Sequence, residues 1–174
     1  NSIYVWRFEP DDTGAPQPAD EPLGYLKLQG EGACHLAIQD KLLVTANYGG
    51  GSADVVLLDD AGLPVRQLAL IKHEGSGPRE DRQDAAHVHW AEFTRDGTRL
   101  LLTDLGTDEV VAYSVSELEA LADTEQAIKT DIRPMQKLRF PCGEGPRHIA
   151  VASNDDLYVL TELGHKVFHV KDDG

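Results

Sequence analysis

The chain has 174 residues, 41 % of them hydrophobic and 26 % charged, which supplies enough apolar content for one packed domain and argues against overall disorder. Its 16 basic and 30 acidic residues leave a formal charge of −14, so nucleic acid and anionic membrane surfaces are poor partners for the bulk surface, although a local basic pocket can still take a small anion. No apolar run reaches the roughly 20 residues a membrane-spanning helix needs, no secretory leader opens the chain, and Cys34 and Cys142 lack zinc spacing, so a cytoplasmic protein with reduced thiols is expected.

The chain opens at Asn1 within strand-like sequence, so the natural start is expected upstream. Residues 3–8 read as the outer strand of an earlier unit, and residues 9–22, rich in proline and acidic residues, as an exposed loop. From residue 30 onward a unit of 55 to 60 residues recurs three times, each reading strand, turn, strand, turn, strand. Gly30-Glu-Gly-Ala-Cys-His35 leads into Lys41-Leu-Leu-Val-Thr-Ala-Asn47 and then Asp54-Val-Val-Leu-Leu, with residues 65–71 as a fourth strand. Residues 75–83 form a loop whose Arg79 and Arg82 could help bind a phosphate, but Glu80, Asp81 and Asp84 sit beside them, so the segment reads as a solvated loop. His89-Trp-Ala-Glu-Phe then leads, through an Asp-Gly turn at residues 96–97, into Arg99-Leu-Leu-Leu-Thr-Asp104 and Glu109-Val-Val-Ala-Tyr. A capping box, Ser116-Glu-Leu-Glu119, predicts a short helix over residues 117–123 with Leu118, Leu121 and Ala122 on one face. The third copy runs from Gly143-Glu-Gly-Pro-Arg-His148 through Leu157-Tyr-Val-Leu-Thr-Glu162 to Lys166-Val-Phe-His-Val.

Four short antiparallel strands per repeat predict an all-β fold, a β-propeller of about three blades plus one strand. A ring needs roughly four to eight blades, so the chain, read as one incomplete domain, is expected to be completed by blades of the same or a companion chain. A twisted open β-sandwich is the alternative. The repeat also makes a geometric prediction. Equivalent residues of successive blades share one ring around the axis, and His35, His89 and His148 are read as one ring, 54 and 59 residues apart. Asn47, Asp104 and Glu162 are read as a second, 57 and 58 apart. Imidazoles, carboxylates and Arg147 converging on one mouth would suit acid–base chemistry.

Several motifs carry a resemblance to a known family. Ala86-His-Val-His-Trp-Ala-Glu-Phe-Thr-Arg-Asp-Gly97, Leu100-Leu-Leu-Thr-Asp-Leu-Gly106, Ala46-Asn-Tyr-Gly-Gly50, Gly143-Glu-Gly-Pro-Arg-His-Ile-Ala-Val151 and Thr161-Glu-Leu-Gly164 resemble the lactonase family of seven-bladed β-propellers, in the family's order. The resemblance implies a seven-bladed ring of about twice this length and hydrolysis of a sugar lactone, with 6-phosphoglucono-1,5-lactone first. A carboxymuconate-type lactonising activity and a non-catalytic binding platform are the alternatives. Departures are Thr161 where the family often has asparagine, and the missing later blades.

The resemblance implies that Arg147 binds the phosphate or the oxyanion of an anionic lactone. It implies that His89 or Glu162 activates water, with His87, His148, Asp104 and Asn47 contacting substrate, where Asn47, Tyr48 and Asp104 could orient the sugar-ring hydroxyls. Each has a structural alternative: Arg147 as a brace between blades, His89 and His148 as packing residues, Asn47 and Asp104 as turn residues bonding their own backbone. Gly143, Gly145 and Pro146 would let that loop approach a ligand. His87 and His89, two apart, with Asp104 or Glu162 could form a two-histidine, one-carboxylate metal site. No metal and no cofactor is expected, however, because a lactone that opens spontaneously in water needs neither. Cys34 reads as a small buried residue rather than a nucleophile.

Overall fold

The computed structural model describes residues 1–124 and 127–171. Strands β1 (Ser2–Val5) and β4 (Gly24–Lys27) pair antiparallel, Ser2 opposite Lys27. The residues expected as a loop between them partly form a hairpin of β2 (Phe8–Pro10) and β3 (Pro16–Pro18). The side chain of Asp11 closes this hairpin: its Oδ1 accepts from the backbone N–H groups of Thr13 at 2.8 Å and Ala15 at 2.9 Å. The prolines lie in an isolated two-stranded ribbon, where a missing donor is tolerated.

Three meanders follow in chain order. The first comprises β5 (Ala33–Gln39), β6 (Leu42–Asn47), β7 (Ser52–Leu58) and β8 (Pro64–Lys72). The second comprises β9 (Val88–Phe93), β10 (Arg99–Asp104), β11 (Glu109–Ser114) and β12 (Gln136–Arg139). The third, within the described residues, has β13 (Pro146–Val151), β14 (Leu157–Thr161) and β15 (Lys166–Val170). The orphan strand expected at the start therefore has a partner, β4, and the pair belongs to a preceding blade.

The sheets stack face to face, which is why their middle strands are almost continuously apolar. Leu42, Val44 and Ala46 point to one side of the first blade and pack with Val88, Ala91, Leu100, Leu102 and Val111 of the second. Leu43, Val56 and Leu58 point to the other side and meet Leu28, Ile3 and Leu26. The second blade repeats the alternation, with Leu101, Val110 and Ala112 facing Phe140, Ile149 and Val159 of the third. Stacked four-stranded meanders with a core between each pair are propeller blades.

The predicted helix is present, with its start moved. α1 spans Val115–Glu119 and continues as a 3-10 turn over Ala120–Asp123. The cap is Ser114, not Ser116: β11 ends there in extended geometry, and its hydroxyl accepts from Glu117 N at 3.3 Å. Leu118 is buried between the first two blades, and Leu121 and Ala122 pack against the same core. Among the described residues no helix is long and apolar enough to cross a membrane.

Candidate functional site

The pairing of the two innermost strands decides what the site contains. In the first blade Ala33 opposes Asn47 and His35 opposes Ala46, so Cys34 is skipped. In the second, Val88 opposes Asp104 and Trp90 opposes Thr103, so His89 is skipped. In the third, Pro146 opposes Thr161 and His148 opposes Leu160, so Arg147 is skipped. Each inner strand thus carries a one-residue bulge at the same place, and such bulges re-aim a side chain. A second set of bonds gives the same frame: Tyr48 N donates to Gly32 O, Leu105 N to His87 O, and Glu162 N to Gly145 O.

The two rings read from the sequence are therefore each corrected by one residue. His89 is equivalent to Cys34 and Arg147, and not to His35 and His148, whose counterpart is Trp90. Glu162 is equivalent to Tyr48 and Leu105, and not to Asn47 and Asp104, whose counterpart is Thr161. A slip of one position transfers a strand side chain to the opposite face. The two residues that form the buried ring with Thr161 are accordingly structural. Asn47 is buried, donates to Asp54 Oδ2 at 2.9 Å and accepts from Asn1 Nδ2 at 2.9 Å. Asp104 is buried as well; its Oδ1 accepts from His87 N at 2.8 Å and Gly106 N at 2.9 Å, and its Oδ2 lies 2.8 Å from His73 Nδ1. Burial would raise the Asp104 carboxyl, but the bond and charge of His73 and the His87 N–H outweigh it and hold it below the usual value.

His87 also turns away from the opening. Its ring stacks on Tyr48 at 4.3 Å, with Nδ1 2.9 Å from Tyr48 O and Nε2 3.0 Å from Asp84 Oδ1. With His87 and Asp104 committed, the metal arrangement considered from their spacing does not form, and among the described residues no three His, Cys, Asp or Glu converge as ligands. His35 stacks on Trp90 at 3.4 Å and accepts from Ala91 N. His148 packs on the other side of Trp90 at 4.6 Å and meets the ring of His89 at 5.5 Å, so it borders the site.

Three predicted residues do come together. Arg147 Nη1 lies 2.8 Å from Glu162 Oε2, and His89 is close enough to feel both charges. Burial first, then the Arg147 guanidinium, hold the His89 imidazole down at about 4, so it is neutral at physiological pH. Burial would raise Glu162, but its bond to Arg82 and the charge of Arg147 bring it below the ordinary glutamate value. Among the described residues three buried side-chain polar atoms have no hydrogen-bond partner, and two of them, His89 Nδ1 and Arg147 Nε, lie here, the third being Thr107 Oγ1. Such groups are uncommon in folded proteins and each calls for a physical reason. Cys34, on the same ring, is exposed and not buried as expected, but partial desolvation of its thiol pushes it up, so it is a poor nucleophile.

The fourth member is one the sequence reading set aside. Arg82 Nη1 lies 2.5 Å from Glu162 Oε1, and its Nη2 is 3.5 Å from the Tyr48 hydroxyl. Two of the three neighbouring acids that suggested a solvated loop are used elsewhere: Asp81 faces Arg79 at 3.7 Å and Asp84 faces His87. What fixes Arg82 is the next residue. Gln83 is fully buried, donates to Leu105 O at 2.9 Å and Asp108 Oδ1 at 2.8 Å, and accepts from Arg79 N at 3.2 Å. Asp108 also accepts from Gly143 N and Gly145 N, both at 2.7 Å. One carboxylate therefore anchors both arginine-bearing loops. The two glycines serve this anchor: Gly143 has φ +80° and Gly145 φ +60°, and a Cβ on Gly145 would lie 2.8 Å from Leu163 Cγ.

A family model described as lactonase, 7-bladed beta-propeller, matches residues 2–173. The 6-phosphogluconolactonase of Bacillus subtilis is 30 % identical over 148 residues, 83 % of this chain and 39 % of that protein. A crystal structure of a candidate 6-phosphogluconolactonase from Bacteroides fragilis superposes with a TM-score of 0.78 at 28 % identity, covering 98 % of this chain and 49 % of the other. A periplasmic gluconolactonase of Pseudomonas aeruginosa, 21 % identical with a TM-score of 0.69 over 95 % of this chain and 47 % of its own, shares the fold. The chain thus spans less than half the length of each of these proteins.

Proposed function

The chain belongs to the lactonase family built on a seven-bladed β-propeller, and from that premise we propose that it carries the catalytic face of a hydrolase acting on a sugar lactone. The substrate in this reading is 6-phosphoglucono-1,5-lactone and the product 6-phosphogluconate, in line with the named relative from Bacillus subtilis. The observation that carries the reading is the convergence of two arginines on one glutamate beside a neutral imidazole, with a buried nitrogen on His89 and on Arg147 left unpaired. In a chain of net charge −14, paired guanidiniums at one spot are a local device for an anion.

The chemistry follows from the protonation states. Glu162 is ionised and spends both oxygens on guanidiniums, so it holds the arginines in place and is a weak base. His89 is neutral at pH 7, and a neutral imidazole carries one ring nitrogen able to take a proton. Water attacks the carbonyl carbon, its proton passes to His89, and the carbonyl oxygen becomes an oxyanion that Arg147 stabilises. The bond from that carbon to the ring oxygen then breaks, and the proton on His89 returns to the departing oxygen. The free carboxylic acid ionises and releases one proton to solvent. A strained, activated ester that opens unaided asks little of its base, which suits an imidazole titrating near 4.

A phosphorylated sugar is retained in cells by its charge, which favours a cytoplasmic site, and the remaining blades come from the same or a companion chain. The test is proton release from a panel of lactones by the full-length protein. Arg147→Ala and His89→Asn should each lower kcat/KM by about 100-fold; turnover untouched by both substitutions would move the protein to a binding role.

A further inference from the structure

Glu162 divides the positive charge of the site into two arms of different character. Arg147 rises from the bulge of β13, beside His89, on a strand paired into its blade. Arg82 comes from the loop between the first and second blades, on the other oxygen of Glu162, next to the hydroxyl of Tyr48. Nothing in the hydrolytic steps uses Arg82. Yet it is placed with care: its neighbour Gln83 is wholly buried and tied to Leu105 O and Asp108, while the Arg82 side chain itself remains 36 % exposed. An exposed guanidinium on a fixed base, with Asp81 turned to Arg79 and Asp84 to His87, is what a recognition arm requires.

We propose that Arg82, with Tyr48 beside it, reads the anionic substituent of the lactone, phosphate or carboxylate, while Arg147 serves the reacting carbonyl. This rests on the hydrolase reading above. A guanidinium can keep one N–H on Glu162 and present the rest of its fork to an incoming anion. Arg82 is then a specificity-determining residue, and the residue that seats it, Gln83, acts only through it.

The experiment compares three substrates in the full-length protein: 6-phosphoglucono-1,5-lactone, a carboxylated muconolactone and uncharged glucono-1,5-lactone. The anionic lactone that the wild type prefers identifies the substituent. For that lactone Arg82→Ala should raise KM roughly 10- to 100-fold with a much smaller change in kcat, and cost at least tenfold more than on the uncharged lactone. Arg82→Lys, which keeps the charge but not the fork, should recover part of the preference. Equal losses on charged and uncharged lactones, with the preference ratio intact, would show that Arg82 merely braces Glu162 and would overturn the assignment alone. A wild type inactive on all three would overturn the hydrolase reading and this assignment together.

Discussion

Glu162 Oε2 accepts from Arg147 Nη1 at 2.8 Å, and this pair ties the turn after β14 to the bulge of the neighbouring strand β13. Arg147 is half-exposed, so the pair contributes little to stability on Coulombic grounds. Its value lies in orientation: without it a long, rotamer-rich side chain would sample many positions over the opening. Glu162→Gln keeps the shape but replaces one acceptor oxygen by an amide that cannot accept from either guanidinium. The expected outcome is a fall in kcat/KM of about 10- to 100-fold with thermal stability within about 1 kcal/mol of wild type. Steady-state kinetics alongside a denaturant titration checks it; a large stability loss with normal turnover would contradict the orienting role.

The acid limb of the pH profile should report His89. Its imidazole is lowered from its usual value to about 4 in the folded protein, so kcat/KM should stay level from pH 8 to 5 and fall only as the pH approaches 4. Stability carries the matching sign. Above the unfolded value of about 6.5 both states are neutral and the protein has its full stability. Below it the unfolded chain binds a proton that the folded site refuses, so stability declines until the pH passes about 4. His89→Asn should flatten this part of the stability curve, and urea titrations at pH 7, 5.5 and 4.5 measure it. An acid limb centred near 6.5 would remove His89 from the role of base.

The repeat, the blade strands and the helix were legible because they rest on spacing and periodicity, which survive without knowledge of register. The register was not legible. Matching histidine to histidine aligned His89 with His35 and His148, yet the bulge leaves Trp90 as their counterpart. A bulge inserts one residue in one strand, and no particular residue type marks it: cysteine, histidine and arginine occupy the three positions. Polarity likewise drew Glu162 into line with Asn47 and Asp104, although Thr161 holds that buried position. Arg82 was obscured by net local charge. Its role depends on which acid meets which base, and only the folded loop determines that.

Gln83 offers a test of that loop. Gln83→Leu keeps the volume roughly but leaves Leu105 O and Asp108 each without one donor in a buried setting. A cost of about 1–3 kcal/mol is expected from the unsatisfied acceptors. If Gln83 acts on function solely by seating Arg82, the Gln83→Leu, Arg82→Ala double variant should bind the anionic lactone no worse than Arg82→Ala alone. Additive losses in KM would point to a second route from Gln83 to the site.

Asp108 is the shared anchor of the two arginine-bearing loops, and Gly145 reaches it through its N–H. Gly145 stands at φ +60° with its N–H on Asp108 Oδ1 at 2.7 Å, two residues before Arg147. An alanine there faces two penalties at once: a left-handed backbone, about 1 kcal/mol, and a Cβ 2.8 Å from Leu163 Cγ that pushes the turn outward. The displacement would carry Arg147 away from Glu162, because the same turn is held by Glu162 N donating to Gly145 O. Gly145→Ala should therefore lower stability by about 1–3 kcal/mol and, in the fraction still folded, lower kcat more than it raises KM, since the strand-borne arginine is the one displaced. Gly62→Ala is the control. It shares a positive φ of +77° but has nothing within 4 Å of its Cβ and lies in a turn of the first blade, so it should lose stability alone. Were the two variants indistinguishable in kcat after correction for folded fraction, the anchor would be holding the blade and not the guanidinium.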